Sequence, residues 1–142
     1  MKKIFFVIGL LFSFAIISNS QTEPTGEITF EKTTQEFGDI KQGQSVTAVF
    51  KFKNTGKAPV ILSNVQTTCG CTVPTWTREP IAPGKTAEIN ATFNSAGKMG
   101  MQNKVITVFS NAKNSQTQVS IVCNVLPADA PAAPQNQVAP KN

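Results

Sequence analysis

Cys69, Gly70 and Cys71 set two thiols one residue apart, and the 142-residue chain has no histidine and no tyrosine to work beside them. The surrounding segment is Thr67-Thr68-Cys69-Gly70-Cys71-Thr72-Val73-Pro74. Its thiols could close a structural ring, serve as a redox pair or hold a soft metal. A disulfide wants Cα atoms about 4.4–6.8 Å apart, whereas two residues of extended chain span about 6.6–7.2 Å. A Cys69–Cys71 ring therefore needs the backbone to fold back at Gly70, and glycine allows this at least cost. Cys123 is the third cysteine. The pairings 69–71, 69–123 and 71–123, and a state with free thiols, are all open, with the small ring as the first expectation.

A redox pair needs one thiol of lowered pKa and an accessible partner. Thioredoxin-like enzymes supply the first with a helix start, and no helix start is legible here, so a structural clip is preferred. Copper is the other option. Met99 and Met101 repeat the cysteine spacing with thioethers, and the set Cys69, Cys71, Met99 and Met101 would suit Cu(I). Without histidine, a blue-copper site of two His and one Cys is excluded, and three cysteines fall short of four zinc ligands unless a carboxylate joins. The plain reading of both methionines is loop packing, and no cofactor is expected.

Nucleophilic catalysis of the Ser-His-acid or Cys-His kind lacks its base. Glu36, Asp39, Glu79 and Glu88 read as solvated surface charges rather than a carboxylate pair. No Gly-rich phosphate loop precedes a helix. The expectation is a protein that is not an enzyme.

The chain ends frame a domain. Met1-Lys2-Lys3 followed by the apolar run Ile4 to Ile17 reads as a secretory signal, with cleavage after Ser20. The run is shorter than the roughly 20 residues that span a bilayer, so no stable membrane span is expected after cleavage. Periplasmic or secreted localisation in a bacterium follows. Residues 21–26 read as a linker, 27–126 as one domain, and 127–142, rich in Pro and Ala, as a disordered tail. The net charge of +5 includes Lys2 and Lys3; without them, 11 basic residues stand against 8 acidic, about +3. The lysines are scattered and Arg78 is the one arginine. Nucleic-acid binders gather their basic residues on one face, so no nucleic-acid partner is expected.

Within the domain, Val46, Ala48, Phe50 and Phe52 alternate with Thr47, Lys51 and Lys53, the mark of a half-buried strand. Ala87, Ile89, Ala91 and Phe93 repeat the pattern, as do Val119, Ile121, Cys123 and Val125. Asn54-Thr55-Gly56-Lys57 is read as a turn in which Gly56 is free to take positive φ, and Gly97 to Asn103 as a loop holding both methionines. Trp76 falls in a loop-like stretch. About seven short strands in about 100 residues predict an all-β, immunoglobulin-like antiparallel sandwich.

The motifs Phe37-Gly38-Asp39-Ile40, Phe50-Lys51-Phe52-Lys53-Asn54-Thr55-Gly56, Thr68-Cys69-Gly70-Cys71-Thr72-Val73-Pro74, Glu79-Pro80-Ile81-Ala82-Pro83-Gly84-Lys85 and Phe109-Ser110-Asn111 occur in that order. Together they resemble a large family of secreted bacterial proteins whose domain has no assigned activity. Its sandwich is similar to the Hydin and major-sperm-protein types. The resemblance implies the fold and no reaction. At Cys123 the family more usually has Gly before Asn-Val, so this cysteine departs from the pattern. The expected role is structural or protein-binding, with an unknown protein partner at the cell envelope. Thr72 and Trp76 are the candidate contact residues. The alternative is a thiol-redox or Cu(I)-handling protein.

Overall fold

The structure, a computed structural model, describes residue 23 and residues 25–131. The expected signal segment and most of the expected tail lie outside the described residues. Eight strands follow one another: β1 (Ile28–Phe30), β2 (Thr34–Lys41), β3 (Ser45–Asn54), β4 (Leu62–Thr67), β5 (Thr72–Trp76), β6 (Thr86–Asn94), β7 (Gly100–Ser110) and β8 (Gln116–Leu126). They form two four-stranded sheets, ordered β1-β3-β6-β5 and β2-β8-β7-β4. Five of the six pairings are antiparallel; β2 lies parallel to β8. This is the expected sandwich, with one strand more than the count of about seven. Among the described residues no helix is long and apolar enough to cross a membrane.

Alternation builds the core. Ala48, Phe50 and Phe52 of β3 face inward, opposite Ile89, Ala91 and Phe93 of β6. From the other sheet come Ile106, Val108, Val119, Ile121, Cys123 and Val125. Burying each of the three phenylalanines stabilises the fold by about 1.5–3 kcal/mol. The Phe30 and Phe52 rings meet at 5.4 Å between centroids in a tilted pair.

Two local expectations are corrected. Trp76 ends a strand rather than lying in a loop, because Thr72–Trp76 pairs along β6 from Thr72↔Phe93 to Trp76↔Ile89. Met101 likewise lies in a strand, since β7 already starts at Gly100. Gly56 does not take positive φ. It is required for closeness instead: a Cβ there would sit 2.4 Å from the Glu27 nitrogen and 2.5 Å from Gly26 backbone atoms.

Candidate functional site

Between β4 and β5 the chain leaves one sheet for the other, and the Cys69–Cys71 segment makes that corner. Cys69 and Cys71 are joined by a disulfide, with Cα atoms 5.3 Å apart. Gly70 sits exposed between them, but its φ is not positive and a Cβ would meet nothing within 4 Å. The fold-back therefore does not depend on glycine's special conformations. Backbone and side-chain bonds hold the corner on both sides. The Thr72 N–H donates to the Cys69 carbonyl (3.4 Å), and the Asn94 N–H of β6 donates to the Cys71 carbonyl (2.9 Å). The Thr67 hydroxyl lies 2.9 Å from the Cys69 carbonyl and 3.1 Å from that of Thr72.

Thr72, one of the candidate contact residues, faces inward. It is only 3% exposed, because alternation turns it inward opposite Phe93, and its hydroxyl is buried without a partner. Its neighbours Val73 and Thr75 face out; Val73 is 61% exposed. The sequence reading missed both, although their alternation with Thr72 and Trp76 was the available signal. Trp76 is half-buried against the core. Its indole N–H is buried without an acceptor, and the Arg78 guanidinium stands over the ring at 5.0 Å.

Outward from β5, two cross-strand rows of the sheet carry no charge. Val73 lies beside Thr92 and Thr47, and Thr75 beside Asn90 and Val49. The Thr47 and Thr92 hydroxyls are 2.8 Å apart. Charge returns only in the next row, where Lys51 faces Glu88. In sequence, the twenty residues from Ala58 to Thr77 hold no Asp, Glu, Lys or Arg.

The other candidates disperse. Cys123 is a free, buried thiol on β8. Burial pushes its pKa up, and the Lys104 ammonium draws it partly back down. Met99 and Met101 lie at the same end of the sandwich as the corner, since the β6–β7 connection and the β4–β5 corner share that end, and both are exposed. The disulfide leaves neither Cys69 nor Cys71 as a thiolate to join them on a soft metal. Among the described residues no group of three or more His, Cys, Asp or Glu side chains could hold a metal ion. Asp39 lies in β2 and accepts a hydrogen bond from the Asn124 amide at 2.8 Å. Glu88 is exposed on β6.

Asn54, one of the motif residues, has a structural task. It is fully buried. Its amide nitrogen donates to the carbonyls of Ala58 and Ile81, each at 2.8 Å. Its oxygen accepts from the N–H groups of Gly56 (3.0 Å) and Glu27 (3.3 Å). Asn111 likewise accepts from the Ile61 N–H (2.7 Å) and donates to the Pro59 carbonyl (3.2 Å).

The fold is similar to that of several solved structures. A protein of unknown function from Porphyromonas gingivalis W83 matches with a TM-score of 0.61 at 18% identity, over 70% of this chain and 47% of that one. PapD-like domain 7 of human CEP192 matches with a TM-score of 0.60 at 10% identity, over 82% and 98%. The E. coli chaperone DraB matches with a TM-score of 0.50 at 10% identity, over 77% and 59%. This chain thus spans about half the length of the Porphyromonas protein. At such identities the likeness shows the fold alone. No curated protein sequence matches. Residues 28–125, the stretch occupied by the sandwich, match the family described as "Protein of unknown function (DUF1573)", and the chain belongs to that family.

Proposed function

We propose that this chain is a non-catalytic protein-binding module of the bacterial cell envelope, and that it meets its partner on the outward face of β5. One observation carries the reading: the charge-free run from Ala58 to Thr77 folds into the two edge strands on one side of the sandwich and leaves Val73 exposed on an uncharged surface. The centres of protein interfaces are depleted of charge in this way. The ring between Cys69 and Cys71 stiffens the start of β5, which keeps that surface pre-organised. The basic, apolar first 20 residues support export, and a disulfide suits an oxidising compartment. PapD-like and chaperone sandwiches share the architecture, which agrees with a binding role.

Surface complementarity is favoured over strand addition at β5. Pro74 has no N–H to offer, and the first backbone groups of the strand are already bonded to Cys69 and Thr67. The test is photo-crosslinking in intact cells from a benzophenone side chain at Thr75, with the same probe at Lys32 as control. A protein adduct specific to Thr75 and lost in Val73→Glu is expected. Equal labelling at both positions would overturn the reading.

A further inference from the structure

The four sheet edges are unequal, and the inequality points to a second copy of this chain. A terminal strand leaves half of its backbone N–H and C=O groups unpaired, and proteins block such edges to avoid unwanted strand pairing. The β1 edge is blocked by a side chain. The Ile28 N–H donates to the Asn114 oxygen at 3.0 Å, and the Asn114 amide donates to the Ile28 carbonyl at 2.7 Å, so one amide stands in for a neighbouring strand. The β2 edge is irregular between Glu36 and Asp39 and carries Glu36, Asp39 and Lys41. The β5 edge is blocked by Pro74 and by the bonds that Thr72 makes to the corner.

The β4 edge has no such guard past its register shift between Leu62 and Asn64. It is bounded on one side by the Val60–Ile81 bridge and on the other by the Cys69–Cys71 corner. Among the described residues, Asn64 to Gln66 make no backbone hydrogen bond other than those to β7. Asn64 and Gln66 are exposed and uncharged, and Ile61 beside them is 41% exposed.

We propose that two copies of this chain join through their β4 edges, antiparallel about a two-fold axis at Val65. The two β2-β8-β7-β4 sheets then become one continuous sheet. Three features select a second copy over a longer foreign strand. The open window is no longer than β4 itself, because a longer strand would run into the Ile81 segment or the corner. A two-fold contact sets a surface against itself, and a strand without charge meets itself without like-charge repulsion. Antiparallel pairing about Val65 sets Asn64 of each copy opposite Gln66 of the other, so the outward amides can bond across the seam. This goes beyond the partner contact on the outward face of β5, which uses different residues.

Sedimentation velocity on the chain purified after export, over about 1–300 µM, tests the proposal. The weight-average mass should rise from one chain to two and stop there. Asn64→Lys with Gln66→Lys puts lysines opposite one another across the seam, on exposed positions that leave the fold intact; dimerisation should weaken at least about tenfold. Thr34→Lys on the β2 edge should leave it unchanged. Amide exchange at Asn64 to Gln66 should slow with concentration in the wild type and not in the double variant. A single-chain mass throughout, a mass rising past two, or a dimer indifferent to the double variant would each overturn the β4 seam. None of these results bears on crosslinks from Thr75.

Discussion

The two ends of the sandwich hold the chain by different physics. At one end Asn54 is buried with its side-chain amide saturated, tying the entry to β1, the 54–58 turn and the Ile81 segment together through four hydrogen bonds. At the other end a covalent ring fixes the crossing from β4 to β5, yet the Thr72 hydroxyl beside it is buried without a partner. A saturated amide hub is costly to disturb, since every group it serves would be left bare in the interior. A three-residue ring constrains the unfolded chain only slightly, and polar atoms already unpaired have little to lose. The difference separates an end built for stability from the end that carries the proposed binding surface.

Asn54→Ala should have the largest effect. Two carbonyls and two N–H groups lose a partner, and stability should fall by about 3 kcal/mol or more, read as a Tm drop of about 10–20 °C by calorimetry. A drop of a degree or two would show that water replaces the amide and that the hub is not the stronger end. Gly56→Ala comes next. Its Cβ would press on the backbone of Gly26 and Glu27, which is not the end of a flexible side chain, and about 2 kcal/mol should be lost in urea unfolding.

Opening the ring is smaller. For a closed loop of three residues the chain-entropy relation gives about 1.5 kcal/mol, so Cys69→Ser with Cys71→Ser should lower the urea midpoint modestly and keep the fold. Complete unfolding of that variant would reverse the ranking of the two ends. Cys123 adds a pH dependence on top. Its thiol is held above the ordinary value of 9.0 by burial, so the folded state keeps its proton longer than the unfolded state. Its contribution is fully present below pH 9 and fades as pH rises through the folded pKa. Cys123→Ala should flatten the decline in stability seen above about pH 9. Unchanged slopes would place the decline on other groups. Thr72→Val is the smallest: removing an unpaired buried hydroxyl while keeping its shape should be neutral or stabilising by up to about 1 kcal/mol. A loss larger than that would reveal a partner for the hydroxyl.

Much of the fold is legible because burial on one face writes itself as alternation. β3, β6 and β8 carry their inward sets Phe50 and Phe52, Ile89 and Phe93, and Ile121 and Cys123 at period two. β5 hides because its inward residues are Thr72, Pro74 and Trp76, and neither a threonine nor a proline advertises an apolar face. Strand direction is equally silent. The parallel β2–β8 pair reads the same as an antiparallel one, since side chains alternate in both. At the candidate site the sequence marks Cys69 and Cys71 but not the unguarded β4 edge, which exists only through what fails to pair with it.

Residue identity alone therefore determined the chemistry at hand: three thiols, no imidazole, an uncharged run from Ala58 to Thr77 and a strand pattern able to bury one core. Tertiary structure decided the roles. It made Asn54 a buried hub by bringing Glu27, Ala58 and Ile81 to it, made Gly56 necessary through backbone contact rather than through φ, and turned Thr72 inward while Val73 faces out. The physical reason is common to all three. The Glu27 and Ile81 partners, the Gly26 backbone and the β6 strand that seats Thr72 come from segments distant in the chain, and no single segment supplies them.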